Sequence, residues 1–177
     1  LVLEDREHAL RRGARVYAEL AGFGMATDVH HLTAPDPCGA GAAQAMRLAL
    51  RDAGRDAAHV GYVNAHGTST PLNDAMETRA LHEVLGARAG SVAVSSTKSM
   101  IGHLMGAAAA VGLIATVLAV CESVVHPTIN YEEPDPACDL DYVPNASRRL
   151  AVELALVNSF AFGGHCVSLA VQAASVN

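Results

Sequence analysis

Hydrophobic and polar positions alternate along several short segments of this chain and recur at helical spacing along others. Alternation or short apolar runs predict strands at 1–3, 15–27, 59–66, 91–96, 154–160 and 166–172. Helical spacing predicts helices at 4–12, 42–53, 74–85 and 104–120. Strands that alternate with helices and then close with a strand pair are typical of an α/β fold with a mixed sheet and helices packed on it.

Three polar stretches begin where a predicted strand ends. They read NAHGTSTPLND (64–74), STKSMIGH (96–103) and NSFAFGGH (158–165). Ligand and active sites of α/β proteins occur at such turns, although a histidine there is more often structural and a glycine turn often reflects only positive φ. The GTST segment lacks the GxxxxGK[ST] pattern, which argues against a nucleotide-binding P-loop.

Composition and charge narrow the class of protein. The 177 residues are 51% hydrophobic with 15 glycines and only 4% aromatic residues, which suits one domain with closely packed helices. A formal net charge of -6 argues against general nucleic-acid binding. The four cysteines show neither zinc-site nor disulfide spacing, so we expect no metal and a reducing, cytoplasmic location. The apolar segment 104–120 is rich in weakly hydrophobic Ala and Gly, which favours a buried helix over a membrane span.

Taken together, the motifs resemble one family. VNAHGTSTPLND, VSSTKSMIGHLMGAA, PTINYEEPDPACDLDYVPN and NSFAFGGH, with the segment 1–35, are similar to the C-terminal half of an elongating, type II β-ketoacyl-acyl-carrier-protein synthase. The resemblance implies that residues 1–177 form the C-terminal half of a thiolase-type α/β/α sandwich with a mixed sheet. The family's N-terminal half, which carries the nucleophilic cysteine, would be absent. The implied reaction is decarboxylative condensation of an acyl thioester with malonyl-acyl-carrier protein.

The resemblance also implies catalytic residues. His66 and His103 fall at the positions of the two family histidines, Lys98 at that of the catalytic lysine, and Glu77 at that of its salt-bridge partner. Decarboxylation of a malonyl thioester leaves an enolate, whose oxygen needs hydrogen-bond donors already in place, and two neutral imidazoles supply them. We expect the dipole of the predicted helix 104–120 to disfavour a charged His103 at its head.

Further residues correspond to the family's binding and gating positions. Thr68 and Thr70 resemble the hydroxyls that hold the pantetheine arm, although turn residues that bond the local backbone would look the same. Phe162 resembles the gate phenylalanine and Phe160 a neighbouring pocket residue. The implied gating loops contain Asp28, His31, Thr33, Ala161, Gly163 and Gly164.

The chain departs from the family pattern at two positions that bear on the site. Gly112 stands where the family usually has a glutamate that helps to order a buried site near the catalytic lysine. Ala161 replaces the usual glycine of the gate loop, which would strain the backbone if positive φ is required there. None of the four cysteines falls at the nucleophile position, so we expect all four to be non-catalytic.

The sequence is compatible with several functions. The first is the decarboxylating half of a synthase; retention of His66, His103 and Lys98 favours it. The alternative is a non-catalytic partner comparable to a chain-length factor, or an inactive remnant, which Gly112 and Ala161 favour. A Ser/His hydrolase or binding module is the weakest reading, because no GxSxG elbow is present.

Partners and cofactors follow from the same resemblance. The expected partners are acyl carrier protein and an N-terminal ketosynthase half or second subunit, in a homo- or heterodimer. No nucleic acid, membrane or cofactor is expected, since the substrates arrive on the phosphopantetheine arm of the carrier protein.

Overall fold

A five-stranded mixed sheet lies at the centre of the fold; the computed structural model describes residues 1–174. Its strands, in the spatial order β1-β7-β6-β2-β3, are β1 (Ala18–Thr27), β7 (His165–Ala173), β6 (Leu154–Ala161), β2 (Val60–Asn64) and β3 (Ala93–Ser95). A two-stranded ribbon pairs β4 (Val124–Val125) with β5 (Arg148–Arg149). This arrangement confirms the predicted α/β class with a mixed sheet.

The direction of the strands determines where polar turns can meet. The β2 strand pairs in parallel with β3 on one side and β6 on the other, whereas β7 pairs antiparallel with β6 and β1. The carboxyl ends of β2, β3 and β6 therefore lie at the same edge of the sheet. The three polar stretches of the sequence begin at these ends.

Within residues 1–174, five α-helices accompany the sheet. They are α1 (Arg6–Arg11), α2 (Ala40–Asp52), α3 (Pro71–Leu85), α4 (Lys98–Ile101) and α5 (Ala108–Glu122). Pro71 begins α3, where its missing N–H costs no helical hydrogen bond. The Asp5 side chain caps α1 by accepting a hydrogen bond from the His8 N–H at 2.9 Å.

The helices cover the two faces of the sheet separately. On one face, α2 and α3 pack on buried strand residues that include Val63, Val94 and Leu156. On the other face, α5 packs on Tyr62 and Ala155 among others. Alternate residues of each strand thus enter different cores, as the pleat of a strand requires.

Close packing of α2 on β1 depends on glycine. A Cβ added to Gly24 would lie 2.0 Å from the Ala45 carbonyl oxygen, and one added to Gly22 would lie 2.2 Å from the Ala49 carbonyl oxygen. These contacts are far shorter than any real carbon–oxygen approach, so the helix lies directly against the strand backbone.

The structure corrects some predicted boundaries. The helix predicted at 104–120 begins only at Ala108, after a 3-10 turn at Met105–Ala107, and the short helix α4 precedes it. Gly102, with φ at 75°, separates α4 from this turn. Residues 1–3, predicted as the end of a strand, are exposed and not part of a strand. The connection 126–145 is mostly irregular, as its prolines predict.

Only one side of α5 is buried in this chain, so the prediction of a buried helix is correct for that side alone. Gly112, Leu113, Thr116, Ala119 and Val120 face the sheet. The segment Met105–Glu122, with a mean hydropathy of 1.9, is long and apolar enough to cross a membrane by length and composition, and 28% of it is buried. Core helices of soluble proteins pass the same test, so this finding alone assigns no membrane span.

Candidate active site

The three polar stretches meet at the edge of the sheet where β2, β3 and β6 end. His66 follows β2 by two residues, and Lys98 follows β3 by three. Phe160 lies near the end of β6, and its ring centroid is 5.3 Å from that of His66. His103 comes from the turn after α4, and its ring stands nearly perpendicular to that of His66 at a centroid distance of 5.8 Å. The residues that the sequence predicts to be catalytic thus lie together.

Backbone hydrogen bonds determine the tautomer of both histidines. The Phe160 N–H donates to His66 Nδ1 at 3.3 Å, and the Met105 N–H donates to His103 Nδ1 at 3.1 Å. A ring nitrogen that accepts a hydrogen bond carries no hydrogen, so in both residues the hydrogen of the neutral ring lies on Nε2. Both imidazoles are therefore hydrogen-bond donors through Nε2.

Burial keeps His66 neutral. The residue is only 7% exposed, and burial, with the positive charge of Lys98 and the nearby His103, lowers the pKa of His66 to about 3. A charged imidazolium is disfavoured in a poorly solvated position beside an ammonium group. His66 can thus donate a hydrogen bond at neutral pH without acting as a strong acid.

The position of His103 differs from the one that the sequence predicts. It lies between α4 and the 3-10 turn Met105–Ala107, rather than directly at the head of α5. The contact at its Nδ1 is the single N–H of Met105, whose φ of 52° turns the backbone toward the ring. A local backbone donor therefore orients the ring of His103.

Glu77 supports the backbone of the His66 turn from below. Its carboxylate is 3% exposed and accepts hydrogen bonds from the His66 N–H (2.9 Å), the Gly67 N–H (2.9 Å) and Asn158 Nδ2 (3.0 Å). Burial raises the pKa of Glu77, while these three hydrogen bonds oppose the shift. The carboxylate thus holds the turn that carries His66.

The predicted salt bridge between Lys98 and Glu77 is not formed. Within residues 1–174 no ion pair joins them; instead, the Lys98 ammonium donates to the His66 carbonyl oxygen. Burial lowers the pKa of Lys98, and the negative charges of Glu77 and Asp74 partly offset this effect. The carboxylate accepts from the His66 and Gly67 N–H groups and interacts with the Lys98 charge without a direct contact.

Thr68 and Thr70 lie at the rim of a cleft of about 660 Å³. Their hydroxyl oxygens are 2.8 Å apart, and both residues are solvent-accessible. Hydroxyls and carboxylates line much of this cleft, along with Lys98 and the ring of Tyr131. The two threonines bond each other rather than the local backbone, and their role toward a pantetheine arm stays a prediction.

The turn between β6 and β7 carries the predicted gate. Phe162 is 77% exposed, and Gly163 and Gly164 take φ values of 83° and 77°. Ala161 is the last residue of β6, and its φ is not positive. The strain expected at Ala161 is therefore not present, because the two following glycines make the turn.

The two predicted gating loops are bonded to each other. The Asp28 N–H donates to the Gly164 carbonyl oxygen at 2.6 Å, and the Gly163 N–H donates to the Leu32 carbonyl oxygen at 2.8 Å. Within the second loop, His31 Nδ1 accepts from the Thr33 N–H at 3.1 Å. The contacts link the loops; their joint movement stays a prediction.

The four cysteines are all free, and burial raises the pKa of two of them. Cys166 is buried, and burial raises its pKa to about 11. Cys138 lines the outer part of the cleft, where burial also raises the pKa of its thiol. Within residues 1–174, no group of three His, Cys, Asp or Glu residues is placed to hold a metal ion.

Some polar residues of the site were not predicted from the sequence. Asn158 connects Glu77 to Ser168, whose hydroxyl donates to Asn158 Oδ1 at 2.9 Å. Asn64 donates to the Gly112 carbonyl oxygen at 3.2 Å, and the absent Cβ of Gly112 would lie 3.6 Å from Asn64 Oδ1. The signal for both asparagines was their place at the ends of otherwise apolar strands.

Comparison with known proteins assigns a family. A family model described as the beta-ketoacyl synthase C-terminal domain matches residues 17–132. A protein of Synechocystis sp. named 3-oxoacyl-acyl-carrier-protein synthase 2 is 56% identical over 172 residues, which cover 97% of this chain and 41% of the relative. A Rhizobium sp. protein named nodulation protein E is 51% identical over 171 residues, 97% of this chain and 42% of its own length. The chain thus spans about two fifths of these relatives.

Solved structures agree with this assignment. A type II polyketide ketosynthase in complex with its acyl-carrier protein superposes with a TM-score of 0.95 at 41% identity, covering 97% of this chain and 42% of that one. The ishigamide ketosynthase/chain length factor superposes with a TM-score of 0.92 at 42% identity, with the same two coverages of 97% and 42%. The chain therefore belongs to the β-ketoacyl synthase family, and the part that it matches is the C-terminal domain.

Proposed function

We propose that this chain supplies the decarboxylating part of a β-ketoacyl-acyl-carrier-protein synthase, which condenses an acyl thioester with malonyl-acyl-carrier protein. One observation carries the proposal. The neighbouring imidazoles of His66 and His103 each accept a backbone N–H at Nδ1, which reserves both Nε2–H groups for a substrate. Two neutral donors at one place suit an oxygen that becomes negative during a reaction.

The chemistry of the malonyl thioester fits these donors. Decarboxylation breaks the bond between the carboxylate carbon and the α-carbon, and the electron pair of that bond forms an enolate as carbon dioxide leaves. The Nε2–H groups of His66 and His103 would bind the enolate oxygen. The α-carbon then attacks the carbonyl carbon of an acyl-cysteine thioester; the new carbon–carbon bond forms as the carbon–sulfur bond breaks and a thiolate leaves.

The low pKa of His66 decides its role in this step. Because its pKa is about 3, His66 is neutral at physiological pH and donates a hydrogen bond without transferring its proton to the enolate. Protonation of the enolate carbon would end the reaction before condensation. A weakly acidic donor therefore protects the nucleophile that the condensation needs.

Lys98 contributes through charge and through position. Its ammonium donates to the His66 carbonyl oxygen and so ties the turn after β3 to the turn after β2. The positive charge also favours a developing enolate in a partly buried site. We propose an electrostatic and positioning role for Lys98, with no direct proton transfer.

The proposed substrate arm is the phosphopantetheine of an acyl carrier protein. Thr68 and Thr70 would hold this arm, and Phe160 and Phe162 would border the acyl chain. The polyketide ketosynthase that this chain resembles was solved with its acyl-carrier protein, which supports a carrier protein as a partner. We propose that no further cofactor is needed, since the thioesters bring all reacting groups.

We also propose a second large partner surface, either an N-terminal ketosynthase half or a second subunit. The apolar outer side of α5, with Ile114 at 38% and Leu118 at 50% exposure, supports this, because such surfaces usually contact another protein. A homo- or heterodimer is consistent with the partnered ketosynthase structures. The four free cysteines fit a reducing cytoplasm.

A second candidate function is a non-catalytic subunit comparable to a chain-length factor. Gly112 favours it, since no carboxylate extends from this position toward Lys98. The paired donors at His66 and His103 oppose it, because a subunit that only shapes a pocket needs no such arrangement.

Release of labelled carbon dioxide from malonyl-carrier protein separates the two functions. The chain would be assembled with a supplied N-terminal ketosynthase half whose nucleophilic cysteine is replaced by glutamine. We expect release to require both parts and to fall by about 100-fold or more in His66→Ala and in His103→Ala, as expected when a transition-state donor is removed. His82→Ala, a change at an exposed histidine on α3, is the control. A well-folded assembly that releases nothing would support the non-catalytic subunit instead.

A further inference from the structure

A buried polar cluster lies directly behind the candidate site and is centred on His126. This residue follows β4, and its ring reaches under the ends of β2 and β3. His126 Nε2 is 3.0 Å from Tyr62 Oη, 3.2 Å from Thr97 Oγ1 and 3.4 Å from Asn64 Nδ2. Its Nδ1 is 3.1 Å from the Pro127 carbonyl oxygen and 3.2 Å from Ser95 Oγ, which can accept from the same N–H.

The partners of this ring determine its tautomer. The Pro127 carbonyl can only accept a hydrogen bond, so His126 Nδ1 carries the hydrogen and Nε2 is the acceptor. Tyr62 is fully buried and burial raises its pKa, so its hydroxyl keeps its hydrogen and can donate to Nε2. The Ser95 hydroxyl, 2.8 Å from Tyr62 Oη, can donate to that oxygen and complete the chain.

A charged ring would break this pattern. An imidazolium has no acceptor, so protonation of Nε2 would place its N–H against the Asn64 amide nitrogen, 3.4 Å away, which is also a donor. Burial also lowers the pKa of His126, which agrees with a neutral ring. His126 is thus a neutral acceptor toward several side chains at once.

These side chains adjoin the candidate catalytic residues in the sequence. Asn64 is the last residue of β2, two positions before His66, and Thr97 directly precedes Lys98. Asn64 Nδ2 also donates to Thr97 Oγ1 at 3.0 Å, which joins the two strand ends directly. A ring that anchors both residues therefore affects the spacing between the turn of His66 and the turn of Lys98.

We infer that His126 is a positioning residue of the candidate active site: its neutral ring, bonded to Tyr62, Asn64 and Thr97, holds the ends of β2 and β3 in the register that places Lys98 against His66. The inference rests on the proposed function for its effect on rate. The sequence alone did not suggest it, because His126 lies in the irregular connection and outside the polar stretches.

The first test compares two substitutions of the same residue. His126→Phe keeps the approximate ring shape but removes both polar nitrogens, whereas His126→Gln keeps a side-chain acceptor and a donor. In the assembled decarboxylation assay we expect His126→Phe to lower kcat about tenfold or more with KM changed less than about twofold, because displaced catalytic groups slow the chemical step rather than binding. We expect His126→Gln to keep at least about a third of the wild-type kcat, and the exposed control His82→Phe to keep all of it.

A double substitution tests whether His126 acts through the site. In a Lys98→Ala background, His126→Phe should lower kcat by less than about threefold, since the group that it positions is already absent. A full additional tenfold loss in that background would overturn the role through Lys98. The inference would also be overturned if His126→Phe and His126→Gln both reacted at the rate of the wild type.

NMR of isotope-labelled histidine gives a readout that does not depend on activity. The ring nitrogens of the assembled protein should show the Nδ1–H tautomer for His126 and the Nε2–H tautomer for His66. His126→Phe should shift the His66 ring signals, and His82→Phe should not. If the wild-type assembly released no carbon dioxide, the proposed function would fail. The NMR comparison of His126→Phe with His82→Phe would still test the positioning role. Unmoved His66 signals would contradict that role.

If His126→Phe fails to fold, Tyr62→Phe provides a milder probe of the same cluster. It removes one hydroxyl between Ser95 and His126 and keeps the buried ring. We expect the His66 signals to shift in the same direction, and kcat to fall by about threefold to tenfold. No shift in a folded Tyr62→Phe protein would overturn the inference.

Discussion

His66 and His103 lie in different surroundings, although both present Nε2 to the same site. His66 is buried beside Lys98, so desolvation and charge both oppose its protonation. His103 is exposed in this chain, and the Met105 N–H holds its ring in place. A change of environment therefore affects the two residues unequally.

The lowered pKa of His66 predicts a pH-dependent stability. Between pH 6.5, its ordinary pKa, and about 3, its folded value, the unfolded chain binds a proton on this residue that the folded chain does not. Above pH 6.5, His66 does not change the free energy of unfolding. As the pH falls from 6.5 towards 3, the folded protein becomes less stable. From about pH 7.5 to pH 5 the loss is at most about 2 kcal/mol.

Urea unfolding at these two pH values measures the effect. His66→Gln should lose about 2 kcal/mol less stability on acidification than the wild type, because glutamine does not titrate. His30→Gln, at an exposed histidine in the loop after β1, is the matched control and should behave like the wild type. The same pH dependence for wild type and His66→Gln would contradict the burial argument.

At the level of elements, the turn between β6 and β7 depends on two glycines with different surroundings. Both have positive φ, but a Cβ on Gly164 would lie 1.6 Å from the Asp28 carbonyl oxygen, whereas one on Gly163 would meet only the His165 ring at 3.4 Å. Backbone contact with the loop of Asp28 therefore depends on Gly164 in particular. Gly163 also bonds that loop through its N–H, but a Cβ there would not meet the loop backbone.

Alanine substitutions separate these two requirements. Gly163→Ala should cost about 1 kcal/mol for the positive φ alone. Gly164→Ala should cost about 3 kcal/mol or more, because the two loops must also move apart. Thermal or urea unfolding of both variants gives the comparison. Equal losses would mean that the contact between the loops adds nothing to stability.

At the level of the whole molecule, the outer side of α5 exposes apolar side chains that include Ile114 and Leu118. We predict that Ile114→Gln combined with Leu118→Gln weakens association with a supplied N-terminal ketosynthase half by at least about tenfold, because each buried aliphatic side chain contributes roughly 1.5–3 kcal/mol. Analytical ultracentrifugation of the mixed parts measures the association.

A control at an equally apolar but separate site sharpens this result. Val29 is 92% exposed and lies in the loop after β1. Val29→Gln should leave the association unchanged. If the α5 double variant and Val29→Gln bind equally well, the outer side of α5 is not the contact surface.

Much of the fold and the site follows from local sequence. The apolar run of β6, the alternation in β7, the proline at the start of α3 and the glycines at 163 and 164 each specify structure over a few residues. His66, His103 and Lys98 were predicted as site residues through the family resemblance, and the structure places them together. Local patterns suffice there because strand pleat, helix periodicity and turn geometry depend on neighbouring residues.

The sequence by itself thus determined the α/β class, the order of most elements and the motifs of the site. Only the tertiary structure decided that Glu77 binds the backbone of the His66 turn instead of Lys98, that Ala161 is unstrained, and that His126 lies beneath the site. The physical reason is distance along the chain: these contacts join residues that only the packing of the sheet brings together. A hydrogen-bond partner is selected by position in space, and local periodicity carries no information about it.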